Sequence, residues 1–219
     1  MILSHQYKFI FLKTNKTAGT SVEIALSKHC GPQDIITPIS PRDEKMRHDL
    51  GYRGAQNYLA PGAKDSDEQP LFYNHMPASR VRELVGEAVW NDYYKFCFER
   101  NPWDRFMSFY YWRIKEEPKT TLSDFLASDA PQLLKTRGLD LYTIDGKVAV
   151  DRVCRFESLA EDLEQVRLYL GIPETLDLPR TKTGFRRDKG NYRDALDEQQ
   201  QNRVAQLFAD EIRLFGYRF

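Results

Sequence analysis

The chain has 219 residues, 41% hydrophobic and 29% charged, which is enough for one α/β domain with its own core and too little for two comfortable ones. Its 32 basic side chains are matched by 32 acidic ones, so no global field recruits a polyanion and any anion site must be local. The three cysteines form no C-x-x-C pair, and Cys97 and Cys154 fall in apolar runs expected to be reduced core positions. Met1 to Tyr7 lacks the charged-then-apolar pattern of a leader and no run reaches membrane-spanning length, so the expectation is a cytoplasmic protein.

The apolar run from Tyr7 to Leu12 predicts a buried strand, and Thr20 to Lys28 a helix stopped by Cys30-Gly31-Pro32. Residues 31–70 carry Pro32, Pro38, Pro41, Pro61 and Pro70 and read as a long, weakly structured excursion, either a binding segment or a connector. A short apolar strand at Leu71-Phe72-Tyr73 precedes a helix from Ala78 to Val85, stopped by Gly86. Tyr93 to Phe98 is the second strong strand, and a helix opening at Asn101-Pro102 runs through Trp112. Asp145-Gly146 centres a predicted β-hairpin over Leu141 to Val150. Val153 to Phe156 is a further strand, Leu159 to Leu170 an amphipathic helix ended by Gly171, and Asp197 to Phe215 the last helix. Strands alternating with helices imply a three-layer, P-loop-like α/β fold, its central parallel sheet flanked by helices, in one domain over 1–219.

Two loops carry chemistry. Lys16-Thr17-Ala18-Gly19-Thr20-Ser21 lies between the first strand and its helix, where unsatisfied N–H groups, the helix dipole and a lysine make a phosphate cradle. A Walker A loop places its lysine after the last glycine; here Lys16 comes first, so an ordinary ATP or GTP site is excluded. The second loop, Glu99-Arg100-Asn101-Pro102, places Arg100 where a strand ends and a helix begins, with Ser108 about two turns on. Arg100 suits a bidentate grip on a phosphate; the alternative is an ion pair with Asp104 or Glu99. Of the histidines His5, His29, His48 and His75, only the last follows a strand signal and precedes a helix between the two loops. The alternative for His75 is a cap on the Ala78 helix.

Read together, these loops resemble the signature loops of the sulfotransferase superfamily, in particular the branch of carbohydrate and heparan sulfate O-sulfotransferases and their small bacterial relatives. The resemblance implies that Lys16, Thr17, Ala18, Gly19, Thr20 and Ser21 hold the 5′-phosphosulfate of 3′-phosphoadenosine 5′-phosphosulfate. Arg100 and Ser108, at the family's spacing, then hold the 3′-phosphate. The family form commonly has proline where this chain has Asn15, and often His-Ile where it has Lys13-Thr14. The resemblance implies a catalytic His75, with Glu23 or Glu99 as fallback base and Lys16 stabilising the leaving oxygen. It also implies a basic segment closing over the nucleotide, with Lys182, Arg186, Arg187 and Lys189 as candidates. Arg155, in Arg155-Phe156-Glu157, is similar to another recurrent element.

The expected activity is metal-free transfer of a sulfonate to a hydroxyl, on a carbohydrate, leaving 3′-phosphoadenosine 5′-phosphate. Residues 31–70 and 113–150 are the expected acceptor segments, though Arg42, Lys45, Arg47, Arg53 and Lys64 are nearly balanced there by Asp43, Glu44, Asp65, Asp67 and Glu68. The competing readings are a nucleotide kinase of similar architecture, which needs Mg²⁺ and the missing lysine, and a non-catalytic nucleotide- or glycan-binding protein. Net neutrality and the lack of a recognised module disfavour nucleic acid.

Overall fold

The structure is a computed structural model that describes residues 1–63, 69–115, 119–179 and 191–219. In chain order it contains β1 (Ile2–Ser4), β2 (Phe9–Phe11), α1 (Gly19–Ser27), β3 (Ile35–Ile36), α2 (Pro41–Asp49), α3 (Ala78–Asp92) and β4 (Tyr94–Glu99). Then come α4 (Pro102–Arg113), α5 (Leu122–Ala127), α6 (Ala130–Thr136), α7 (Leu139–Tyr142), β5 (Thr143–Ile144), β6 (Lys147–Val148) and β7 (Arg152–Arg155). The chain closes with α8 (Leu159–Tyr169), α9 (Tyr192–Ala195), α10 (Glu198–Leu207) and α11 (Ala209–Phe215).

Alternation along the strands buries the sheet on both faces. Ile10, Leu12 and Cys97 point to the side covered by Ala78, Val81 and Trp90 of α3, whereas Phe9, Phe11, Phe96 and Phe98 point to Val22 and Leu26 of α1 and Leu163 and Val166 of α8. Each such phenylalanine contributes about 1.5–3 kcal/mol by leaving water. A third apolar cluster, around Phe106, Phe109, Phe125, Leu134, Val204 and Phe208, seats α4, α5, α6 and α10 against one another.

The sheet order is β3–β1–β2–β4–β7, with β2, β4 and β7 as parallel neighbours. The expected wholly parallel sheet is corrected at one edge: β1 runs antiparallel to both β2 and β3. Only residues 5–8 separate β1 from β2, and a parallel crossover needs about a dozen residues or more, so a tight reversal is what this spacing permits. Asp34 holds that reversal, accepting from Ser4 Oγ at 2.8 Å and from the His5 N–H at 2.6 Å.

Several boundaries differ from expectation. The 31–70 excursion holds β3 and α2, the latter started by Ser40, whose side chain accepts from the Asp43 N–H, and by Pro41 in the first turn. Leu71-Phe72-Tyr73 forms no strand; Phe72 buries its ring and donates its N–H to the Tyr58 carbonyl at 2.9 Å. Gly86 leaves helical geometry at φ 78°, as a stop signal should, but helix resumes to Asp92. The hairpin shrinks to β5 and β6 around Asp145 (φ 52°) and Gly146 (φ 72°), because Leu141 and Tyr142 end α7 with their side chains in the core. The last helix is broken at Phe208 (φ −116°), whose ring turns into the third cluster.

Candidate active site

Parallel strands deliver their carboxyl ends to one edge of the sheet, and the loops after β2 and β4 meet there. The first loop is pinned from below: Thr14 Oγ1 hydrogen-bonds the Phe98 carbonyl at the end of β4 and Thr17 Oγ1 at 2.8 Å. Lys16 (φ 66°) and Ala18 (φ 60°) both adopt left-handed backbone, the alternation that turns successive N–H groups toward one point. No side chain caps α1 at Ala18. Gly19 is needed where it stands, since a Cβ would lie 2.7 Å from Lys13 Cγ. Thr20 and Ser21 are buried in the first turn, and Lys16 is half-buried with its ammonium 5.5 Å from the Trp112 ring centre.

Arg100 ties the two loops together. Its Nη1 donates to the Lys16 carbonyl at 3.1 Å, its Nε and Nη2 engage Asp104 at 2.8 and 2.7 Å, and its guanidinium lies 4.0 Å from the Phe156 ring centre. The anticipated pair with Asp104 therefore forms, and it orients a guanidinium already set against the lysine loop. Ser108 lies half-buried on α4. Asn101 starts that helix by accepting from the N–H groups of Trp103 and Asp104 at 3.1 and 3.4 Å.

His75 does not cap the Ala78 helix, whose start carries no side-chain cap. Held at φ 60°, it points Nδ1 at the Lys13 carbonyl, 2.8 Å away. A carbonyl only accepts, so Nδ1 carries the proton and Nε2 of the neutral ring keeps a free lone pair. Burial, then the Lys13 charge, pushes the imidazole down to about 3, partly offset by its bond to the Lys13 carbonyl.

The two fallback bases are committed elsewhere. Glu23 is wholly enclosed, bound to Lys13 Nζ at 2.7 Å and the Met1 ammonium at 3.1 Å, with Arg47 Nη2 at 3.7 Å. Despite its burial, these three cations hold its carboxyl down at about 2. Glu99, equally enclosed, accepts from Arg105 Nη1 at 2.8 Å, Tyr142 OH at 2.9 Å and the Arg100 N–H at 3.0 Å. Both carboxylates are fully buried. Arg47 is likewise no acceptor grip: its side chain is buried between Glu23 and Glu44.

Arg105 is a residue that motif reading misses. Besides Glu99 it donates to the Asn15 carbonyl at 3.1 Å and the Leu134 carbonyl at 2.6 Å, and its guanidinium packs so closely on Gly138 that a Cβ there would sit 2.0 Å from Nη2. The Asn15 N–H donates to the Arg137 carbonyl at 2.8 Å. The fourth residue of α4 gives no chemical signal in the sequence, because a helix arginine is normally solvated. Lys182, Arg186, Arg187, Lys189 and Lys64 lie outside the described residues. Arg155 is exposed and donates to the Phe215 carbonyl at 2.8 Å. Among the described residues no group of three His, Cys, Asp or Glu is placed to hold a metal ion, and no helix is long and apolar enough to cross a membrane.

Comparison with known proteins follows this geometry. A family model described as the sulfotransferase family matches residues 1–218. An uncharacterised protein of Archaeoglobus fulgidus is 34% identical over 108 residues, covering 47% of this chain and 88% of that protein. A crystal structure of a sulfotransferase from Alicyclobacillus acidocaldarius aligns with 99% of this chain and 89% of its own at 20% identity and a TM-score of 0.33. The family match spans both loops, the intervening histidine and nearly all the rest of the sequence: the chain belongs to the sulfotransferase family.

Proposed function

We propose that the protein transfers a sulfonate from 3′-phosphoadenosine 5′-phosphosulfate to a hydroxyl of a carbohydrate, using one P-loop-like domain over residues 1–219. The observation that carries the reading is the bond from Arg100 Nη1 to the Lys16 carbonyl, which sets the two anion-binding candidates side by side. The residues fit the nucleotide: an uncapped helix start, two left-handed residues, a glycine that a Cβ would block and a half-buried lysine on one side, a guanidinium on the other.

When bound, the donor supplies an activated sulfur and a phosphate leaving group. Lys16 and the N–H groups opening α1 neutralise charge on the departing oxygen, while Arg100 and Ser108 hold the distal phosphate. His75 Nε2 takes the proton from the attacking hydroxyl, and its bond to the Lys13 carbonyl holds the ring in the tautomer that can do so. An imidazole held near 3 is a weak base alone; the donor's negative charge offsets Lys13 and raises it. On this reading residues 31–70 and 113–150 supply the acceptor segments. Three buried, unpaired thiols, Cys30, Cys97 and Cys154, support a cytoplasmic setting.

Calorimetric titration with 3′-phosphoadenosine 5′-phosphate, against Mg-ATP, tests the reading. Metal-independent binding of the bisphosphate supports it; a preference for Mg-ATP replaces it with the kinase reading.

A further inference from the structure

We propose that Trp112 is the acceptor platform, its indole face covered by Lys16 in the donor-free enzyme and uncovered for a saccharide ring when the donor draws the lysine away. The inference rests on the sulfotransfer reading and adds an order of binding and a specificity residue.

The Lys16 ammonium lies over the Trp112 ring, 5.5 Å from its centre. Trp112 is held from behind: buried Phe109 runs parallel to it at 11° with centroids 5.8 Å apart. The indole is half-buried at the carboxyl end of α4, where the 113–150 segment begins, and Tyr110 OH ties that helix to the Thr120 carbonyl at 3.1 Å. A surface cation–π contact is weak, whereas an ammonium bonding a phosphate gains full charge-assisted hydrogen bonds. Bonds to the donor's phosphate draw the Lys16 ammonium off the indole face. What remains is an aromatic face next to the lysine loop.

The chemistry of the surroundings selects the occupant. The C–H face of a pyranose packs on an indole while its hydroxyls project from the rim. The neighbour on the ring is polar, the Lys16 ammonium, and Arg113 is next in the chain. A phenolic acceptor wants a closed apolar pocket instead. A ring stacked on Trp112 before the donor arrives would have to displace Lys16 itself, so donor binding comes first.

The test titrates chitohexaose, a heparin hexasaccharide or 2-naphthol into wild type, Trp112→Ala and Trp112→Phe, with and without saturating 3′-phosphoadenosine 5′-phosphate, following the Trp112 indole N–H by NMR in wild type and reading the affinity by calorimetry in all three. The expected result is saturable binding of an oligosaccharide that tightens about tenfold with the bisphosphate, weakens at least about tenfold in Trp112→Ala and survives in Trp112→Phe. The bisphosphate itself should bind Trp112→Ala within about threefold of wild type, because the lost partner of Lys16 is not a donor contact. Oligosaccharide binding that ignores the bisphosphate or the alanine substitution, preference for 2-naphthol, or no oligosaccharide binding to the loaded enzyme overturns the platform. Failure of wild type to bind the bisphosphate at all instead overturns the sulfotransfer reading beneath it.

Discussion

Arg100 donates to the backbone oxygen of Lys16 at 3.1 Å while Asp104 holds the other side of the same guanidinium at 2.7 Å. Residues 84 positions apart are thus made mutually dependent: the lysine loop keeps its turn because the arginine is there, and the arginine is aimed because the aspartate grips it.

Removing that link should cost donor-product affinity. Arg100→Ala is expected to weaken 3′-phosphoadenosine 5′-phosphate by about 30- to 150-fold, the value of a lost charge-assisted pair, and Arg100→Lys should not restore it because one point charge cannot serve both contacts. Calorimetry reads both; an alanine variant within about threefold of wild type shows that the anion sits elsewhere.

His75→Ala should lower turnover at least about 100-fold and leave bisphosphate binding within about threefold. Nitrogen-resolved NMR of the free enzyme should find the Nδ1–H tautomer and a midpoint near 3, moving upward when the bisphosphate binds. The sign for stability follows: below the ordinary histidine range the unfolded chain takes up a proton that the folded ring refuses, so this contribution falls as pH drops from about 6.5 toward 3. A midpoint unmoved from 6.5 contradicts the buried placement.

Gly138→Ala should destabilise the fold by about 2–3 kcal/mol, since its Cβ would meet the buried, hydrogen-bonded Arg105 guanidinium, with Nη2 at 2.0 Å. Thermal melting should fall by about 4–12 °C. Adding Arg105→Ala should make the pair strongly non-additive; simple additivity would mean the two do not touch.

Glu211 is wholly enclosed, with neither carboxyl oxygen bonded among the described residues. Burial, then the nearby Glu99 charge, raises it to about 7, against Arg105 and Lys135, which pull it down. A carboxyl raised on folding gives stability that is complete below its unfolded value and lost as pH rises through about 7. Glu211→Gln should flatten that slope, gaining on the order of 2–4 kcal/mol relative to wild type at pH 8 and little at pH 4. Urea unfolding at the two pH values decides it; equal gains at both would remove the titration from the explanation.

What the sequence shows of this fold is what depends on neighbours in the chain. The strand–loop–helix at Lys16, the Asn101-Pro102 helix start and the Asp145-Gly146 turn all follow from local stereochemistry, and all three occur. Direction of β1, burial of Arg47 and the junction of Arg105 with Asn15 and Leu134 depend on partners tens of residues away. No periodicity reports those. His75 shows both halves: its position between the loops was legible, whereas its acceptor, the Lys13 carbonyl 62 residues upstream, was not.

The asparagine at position 15 gains a meaning from its backbone. Its N–H reaches the Arg137 carbonyl at 2.8 Å, a contact that a proline at this position would be chemically unable to make. The lysine loop and the segment after α6 are therefore latched in this chain by an atom that a proline at position 15 would lack. A change in the segment after α6 that moved the Arg137 carbonyl would therefore be felt in the lysine loop through one backbone hydrogen bond.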